Sequence, residues 1–188
     1  MPDALETRER IERAALTLFV ERGVNGTSIR DVASLAEVSQ GAMYNHYKSK
    51  EDLAFELFSR GWSEVGAELR RRSQLAAALA GKLEAMIGYV FERFDKDWLS
   101  ISYVFLSRHD NLRRVTGRMP NPYLAFRNVI VEAMSRGEIP RQDPELATAM
   151  VSGAIIQTID SRILRRIEGP LRGRTKAVSR ACLGLLKG

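Results

Sequence analysis

Cysteine and histidine are nearly absent, with one cysteine and two histidines among 188 residues. A single cysteine, Cys182, cannot form an internal disulfide bond, which is typical of a protein in a reducing compartment. Clusters of histidine and cysteine that bind zinc are therefore missing. The motifs of nucleophilic hydrolases, metalloproteases and dinucleotide-binding enzymes are missing too. We expect a protein that is not an enzyme and that needs neither a metal nor a cofactor.

Long apolar runs are also missing. No run reaches the roughly 18 residues that a membrane-spanning helix needs. The first ten residues lack the apolar segment of a secretory signal. These two absences lead us to expect a cytoplasmic protein with no membrane partner.

The positive charge is unevenly distributed. The formal net charge is +6 at pH 7, and the excess lies in residues 151–188, which carry eight basic and two acidic side chains. Basic proteins often bind nucleic acid, but a solvated helix face followed by a basic loop is the simpler explanation of a local excess. An argument for DNA binding must therefore rest on a local motif.

Proline is scarce in the first two thirds of the chain, with none between Pro2 and Pro120. Apolar residues recur there at helical spacing, and no stretch shows the sustained alternation of a strand. The sequence therefore predicts an all-α protein. Helices are expected at residues 7–22, 28–36, 40–47, 49–72, 75–95, 98–109, 121–137, 143–168 and 174–187.

The first three predicted helices have the lengths and the tight turn of a helix-turn-helix. Ser28 with Asp31, and then Ser39, are suited to capping the second and third helices. The third helix would enter a major groove about 12 Å wide, so its outward face needs short or planar polar groups. Met43 and Tyr47 are expected to turn inward and hold this helix in place.

Four residues of the third helix are suited to reading bases. Gln40 and Asn45 can hydrogen-bond base edges, and Ala42 can touch a thymine methyl group. Gly41 lets DNA approach the backbone closely. The remaining candidates are suited to phosphate contacts or to the helix starts, namely Thr27, Ser28, Arg30, Ser39, Tyr44, His46 and Lys50.

These residues carry a family resemblance. Residues 23–33 and 36–53, with Tyr44, His46, Tyr47, Ser49 and Lys50 in register, resemble the DNA-binding domain of TetR-type (TetR/AcrR) transcriptional regulators. The resemblance covers roughly residues 7–60. Members of that family often have glycine at the position of Glu37 and phenylalanine at that of Tyr47. Both departures leave the assignment intact.

The resemblance implies an all-helical homodimer that binds a palindromic DNA operator, usually as a repressor. It implies a DNA-binding domain at residues 1–52 and a domain for effector binding and dimerisation at residues 53–188, with helix 4 linking them from residue 49. A small-molecule effector would change the tilt of helix 4 and so the separation of the two recognition helices. Neither the effector nor the operator follows from the sequence.

The last two long helices supply independent support for a dimer. The helix at 143–168 is apolar on more than one side, as expected for a helix buried on both faces, and the helix at 174–187 has a double apolar row. An intramolecular core alone is the alternative explanation. The interface candidates are Ile156, Ile163, Val178, Ala181, Cys182 and Leu185.

Residues 83–130 are rich in aromatic side chains and methionine, which line apolar ligand sites and also ordinary cores. The candidates for effector contact are Met86, Tyr89, Phe94, Tyr103, Phe126 and Gln157. We expect a largely apolar effector. The competing hypothesis for the whole chain is a helical module that binds a ligand or a partner without sequence-specific DNA binding.

Overall fold

The computed structural model describes residues 4–115 and 119–188, and these residues form helices and turns without a strand. The predicted all-α fold class is confirmed. The α-helices are α1 (Ala4–Arg22), α2 (Ile29–Leu35), α3 (Gln40–His46), α4 (Lys50–Arg72), α5 (Leu79–Lys96), α6 (Trp98–Leu106), α7 (Arg108–Asn111), α8 (Pro122–Ser135), α9 (Pro144–Ile163) and α10 (Thr175–Lys187). Short 3-10 helices follow α7 at Leu112–Arg114 and precede α10 at Leu171–Arg174.

The chain folds into two compact units. The N-terminal unit comprises Met1–Gly61 and Leu99–Gly117, and the C-terminal unit comprises Trp62–Trp98 and Arg118–Gly188. The division of the chain by its contacts thus falls inside α4 and again after Trp98. The functional domain limit predicted at residue 52 stays a prediction.

Apolar side chains at helical spacing form the core of the N-terminal unit. Ile11, Ala15 and Phe19 on α1 are buried, as are Val32 on α2 and Met43 on α3. These three helices contain one apolar stripe each, and a short helix gains its stability by burying such a stripe. α1 packs against α2, and α2 packs against α3.

The C-terminal unit has its own core. α5 packs against α10, α8 packs against α9, and α10 packs against α9. The buried side chains of these helices include Leu83, Ile87, Ile130, Val151 and Leu186. This unit is therefore a bundle of long helices in which each helix contributes one apolar face.

Two predicted helices differ from those in the structure. The predicted helix at 143–168 ends at Ile163, because Arg165 adopts a left-handed conformation with φ 55°. The amide of Arg166 then donates to the Ser161 carbonyl at 2.8 Å, which closes the helix end. The predicted helix at 98–109 is divided into α6 and α7 at Ser107. The helix end at Ile163 was not predicted, because arginine is unusual in the left-handed conformation that Arg165 adopts.

The turn between α2 and α3 also contains a left-handed residue, Glu37, with φ 55°. The Val38 amide donates to the Ala33 carbonyl at 3.0 Å, and the Glu37 amide donates to the Ser34 carbonyl at 3.2 Å. This pair of bonds is the Schellman ending of a helix, in which glycine is favoured because a Cβ atom is strained there. Glu37 therefore stores strain in the turn that sets the angle of α3.

We expect Glu37→Gly to stabilise the protein by about 0.5–1 kcal/mol, since the relief of left-handed strain exceeds the added entropy of the unfolded chain. Urea denaturation followed by circular dichroism measures this difference. Glu37→Ala is the matched control, because it removes the same side chain but keeps the strained Cβ. A Glu37→Gly variant no more stable than Glu37→Ala would show that the turn is unstrained.

Candidate nucleic-acid interface

The loop before α2 is fixed by internal hydrogen bonds. Gly23, with φ 73°, ends α1, and the Thr27 hydroxyl donates to its carbonyl at 2.9 Å. Thr27 is only 3% exposed, so its side chain supports the loop and does not lie on the surface. Arg30 is exposed on α2. Among these predicted contacts, Arg30 is accessible and Thr27 is not.

A reciprocal pair of hydrogen bonds starts α2. The Asp31 amide donates to Ser28 Oγ at 3.1 Å, and the Ser28 amide donates to Asp31 Oδ2 at 2.9 Å. Hydrogen bonds from the Ser28 hydroxyl and amide lower the pKa of the Asp31 carboxyl. The capping box predicted from the sequence is therefore present, and its carboxylate remains charged at neutral pH.

The orientation of α3 is set at both of its ends. Ser39 Oγ accepts a hydrogen bond from the Ala42 amide at 3.1 Å and caps the first turn. Met43 is fully buried and Tyr47 is 4% exposed, as the sequence predicted. Because both anchors lie on one side of the helix, the opposite side faces outward.

The outward face of α3 carries the residues predicted to read bases. Gln40, Gly41 and Asn45 are exposed, and Ala42 is partly exposed. A Cβ atom built on Gly41 would come no closer than 3.8 Å to Ser39 Oγ. The surface around Gly41 is thus open to an approaching partner, with a side-chain amide at either end of the helix available for hydrogen bonds.

Beside α3 lies a cleft that is lined by four of the predicted phosphate-binding residues, namely Thr27, Ser28, Tyr44 and Lys50. Tyr44 is 57% exposed at its edge, and His46 is partly exposed on the same helix. Lys50 Nζ donates to the Thr27 carbonyl at 2.9 Å, which joins the start of α4 to the loop before α2. The cleft is lined by Asn25, Thr27, Ser28, Ile29, Tyr44, Lys48, Ser49, Lys50 and Glu51.

Lys48 and Asn25 also line the cleft and were not among the predicted candidates. Lys48 is exposed directly after the end of α3, whereas the ammonium group of Lys50 is already hydrogen-bonded to the backbone. The position of Lys48 just beyond a helix end, with an anchoring aromatic residue before it, is the signal that could have identified it. Lys48 therefore joins Lys50 as a source of positive charge in the cleft.

The predicted effector contacts do not share one environment. Met86, Phe94 and Phe126 are buried in the C-terminal unit, Tyr89 is half-buried there, and Gln157 is exposed. The Arg72 guanidinium lies 5.5 Å from the centre of the Tyr89 ring, and burial raises the pKa of Tyr89.

Tyr103 differs from this group. It is buried in the N-terminal unit, and its hydroxyl donates to the Ala54 carbonyl at 2.8 Å. Burial raises the pKa of this hydroxyl well above its ordinary value. The hydroxyl is thus already satisfied by the protein, and the effector assignment stays a prediction for the whole set.

The predicted interface residues lie on α9 and α10, and their exposure varies. Ile156, Ile163 and Val178 are partly exposed, whereas Ala181 and Leu185 are exposed. Cys182 is fully buried within its own unit, and burial raises the pKa of its thiol to about 11. The structure also exposes Leu146 on α9 and Leu164 directly after it, which the predicted set omitted.

The described parts of the chain lack both a metal-binding cluster and a membrane-spanning helix. Between residues 4 and 115 and between 119 and 188, no three histidine, cysteine, aspartate or glutamate side chains converge as metal ligands would. None of the helices in these ranges has the length and apolar character needed to span a bilayer.

A family model described as "Bacterial regulatory proteins, tetR family" matches residues 11–66. The HTH-type transcriptional regulator AcrR of Shigella flexneri is 35% identical over 91 residues, which are 48% of this chain and 42% of that protein. The chain spans less than half of the length of the first two curated relatives that it matches.

Solved structures extend the likeness to the whole fold. The fatty acid degradation regulator FadR from Bacillus halodurans has a TM-score of 0.79 at 18% identity, covering 97% of this chain and 95% of that one. FadR from Bacillus subtilis, in complex with stearoyl-CoA, has a TM-score of 0.73 at 20% identity, covering 94% and 97%. At these identities the likeness concerns the fold alone.

The open surface at Gly41 leads to a prediction about the free energy of unfolding. Gly41→Ala should stabilise the protein by about 0.5–1 kcal/mol, because alanine favours a helix over glycine and the new methyl group would meet only Ser39 Oγ, at an unstrained 3.8 Å. The thermal unfolding midpoint measures this effect. Gly66→Ala is the control, since a Cβ there would lie 2.5 Å from the Asn121 amide nitrogen and should destabilise the protein. A destabilised Gly41→Ala variant would mean that this face of α3 is covered.

Proposed function

We propose that this chain, whose residues 11–66 match the model of the tetR family of bacterial regulatory proteins, is a ligand-responsive transcriptional regulator that acts as a repressor. As a homodimer it binds a palindromic operator, with α3 of each subunit in a major groove. A small-molecule effector releases the dimer from the operator. The single observation that carries this proposal is the outward face of α3, which stands on buried Met43 and Tyr47.

The chemistry of this face supports DNA as the partner. Gln40 and Asn45 present side-chain amides that can pair with the donor and acceptor groups of a base edge. Gly41 between them leaves room for the backbone to approach the groove. An apolar partner would instead call for exposed long aliphatic side chains, whereas the outward face of α3 carries two amides, a glycine, the small Ala42 and the hydroxyl-bearing Tyr44.

The adjacent cleft is suited to the DNA backbone. Lys48 and Lys50 supply positive charge, and Tyr44 and Ser49 supply hydroxyl groups, which are the usual partners of phosphate oxygens. Phosphate contacts fix the register of a protein on the duplex, and the base contacts of α3 then select the sequence. The cleft and the helix face thus divide the tasks of binding and of specificity.

We propose a largely apolar effector, bound among the buried aromatic and methionine side chains of α5 and α8. Met86, Phe94 and Phe126 are buried there, and Phe91 on α5 is fully buried as well. FadR from Bacillus subtilis was solved with stearoyl-CoA, which makes acyl thioesters one class of candidate effector for this chain.

The homodimer would form through α9 and α10. Leu146 on α9 is 60% exposed and Leu185 on α10 is 46% exposed. Ala181 and Gly184 lie beside Leu185 on the exposed side of α10, and small residues let two helices approach closely. A second copy of the chain would cover this apolar surface, which a monomer would leave in water.

DNA binding is tested by selecting an operator from a pool of random duplexes. The selected sequence is then compared with the DNA that flanks the coding sequence. In gel shifts we expect the affinity to fall steeply with salt, with a slope of about −0.9 per neutralised phosphate. Gln40→Ala and Asn45→Ala should each cost about 1–3 kcal/mol of discrimination between operator and scrambled DNA. Lys48→Ala and Lys50→Ala should weaken binding to both duplexes alike.

Gly41→Ala gives the sharpest control in this assay, because it should bind the operator more weakly while being the more stable protein. A wild-type protein that selects no sequence from the random pool would contradict the proposed function. The result would then favour the competing hypothesis of a helical module that binds a ligand or a partner without reading DNA.

The dimer has its own test. We expect wild-type protein to sediment as a dimer at micromolar concentration, and Leu185→Glu to sediment as a monomer because a charge would be buried in the interface. Leu75→Glu is the matched control, since Leu75 is a 61% exposed leucine outside α9 and α10. A monomeric wild type, or loss of the dimer in Leu75→Glu, would argue against this interface.

A further inference from the structure

The Glu12 carboxylate gathers hydrogen bonds from three parts of the N-terminal unit. Glu12 lies on α1, and its side chain is 14% exposed. Its Oε1 accepts hydrogen bonds from Tyr47 Oη at 2.7 Å, from Arg8 Nε at 2.9 Å and from Arg60 at 3.1 Å. Its Oε2 accepts a second bond from Arg60. One carboxylate thus joins α1, the end of α3 and α4.

Tyr47 is the link to the recognition helix. It is the residue that ends α3, and its amide donates to the Met43 carbonyl at 2.9 Å. A phenylalanine at this position would bury its ring equally well. The hydroxyl of Tyr47 therefore contributes a directed hydrogen bond in addition to the packing. This bond fixes the end of α3 relative to Glu12, where packing alone would permit sliding.

Arg60 is the link to α4. Its guanidinium binds both oxygens of Glu12, a two-point contact that fixes orientation as well as distance. Arg60 directly precedes Gly61, the last residue of the N-terminal unit in this helix, and α4 continues to Arg72. A change in the position of α4 therefore acts on Glu12 through Arg60.

Because Glu12 is charged, its hydrogen bonds from Arg8, Tyr47 and Arg60 depend on one another. Burial alone would raise the pKa of the Glu12 carboxyl, but hydrogen bonds from Arg60, Tyr47 and Arg8 outweigh it and lower the pKa. A carboxylate with little exposure needs a cation beside it. When Arg60 moves, Glu12 must follow it or rearrange around Arg8, and in both cases the bond to Tyr47 changes.

We propose that Glu12 is a positioning residue that ties the orientation of the recognition helix α3 to α4. This inference rests on the proposed function, because an orientation of α3 has a consequence only where α3 reads DNA. With Arg60 in place, Tyr47 holds α3 at the angle that suits the operator. Displacement of Arg60 loosens that angle, so base contacts weaken while phosphate contacts persist.

The test uses Tyr47→Phe, Arg60→Gln and the double variant in the full chain, on the selected operator and on a scrambled duplex of the same length. We expect each single variant to lower the ratio of operator affinity to scrambled-DNA affinity by about three- to tenfold, which is the effect of losing one typical hydrogen bond. The double variant should lose hardly more than one single variant, since both changes break the same junction.

Tyr123→Phe is the matched control. Tyr123 also donates its hydroxyl to a glutamate, Glu145, which binds Arg127 at 2.5 Å, but this group lies in the C-terminal unit. Tyr123→Phe should leave the affinity ratio unchanged. Thermal midpoints of all variants show whether a lost ratio reflects partial unfolding, which would weaken binding to both duplexes.

Three outcomes are decisive. A lowered ratio with a non-additive double variant supports the junction. An unchanged ratio in Tyr47→Phe, or single effects that simply add, overturns it while leaving the proposed function intact. A wild-type protein that does not distinguish the operator from the scrambled duplex contradicts the proposed function itself, and this is seen before any variant is made.

Discussion

The presentation of α3 depends on its burial on one side. A helix of seven residues is too short to be stable in water by itself. Met43 and Tyr47 anchor it in the core of the N-terminal unit, and Ser39 caps its first turn. The residues proposed to read bases therefore owe their position to the two that are hidden. A change that frees the buried side would remove the outward face as well.

The segments around α3 convert this constraint into a binding surface. Lys50 at the start of α4 binds the Thr27 carbonyl, so the loop before α2 and the loop after α3 form two sides of one cleft. The turn between α2 and α3 is strained, because Glu37 adopts a left-handed conformation that glycine would take without strain. The local geometry of the turn is thus maintained by the packing of both neighbouring helices.

Much of the N-terminal unit could be predicted from sequence because its signals are local. Ser28 and Asp31 are three residues apart, the spacing that a capping box requires, and the apolar stripe of α1 has helical spacing. The inward orientation of Met43 and Tyr47 followed from the same spacing. The end of α9 could not be predicted, because Arg165 adopts the left-handed backbone conformation in which glycine is the usual residue.

Features that depend on distant contacts were beyond the sequence. Nothing in the chain order indicates that Arg60 and Tyr47 meet at Glu12, since 48 and 35 residues separate them from it. The burial of Cys182 was missed for a related reason. It belongs to the double apolar row of α10, and only the packed unit shows which of the two rows faces the core.

Nuclear magnetic resonance of the side-chain amides of Gln40 and Asn45 tests the central claim most directly. The account predicts that the selected operator shifts both resonances, together with backbone resonances of residues 40–46, and that a scrambled duplex at equal occupancy shifts chiefly those of the cleft. An operator that binds tightly while leaving both amide resonances unmoved would contradict the account, because DNA would then be read by another surface.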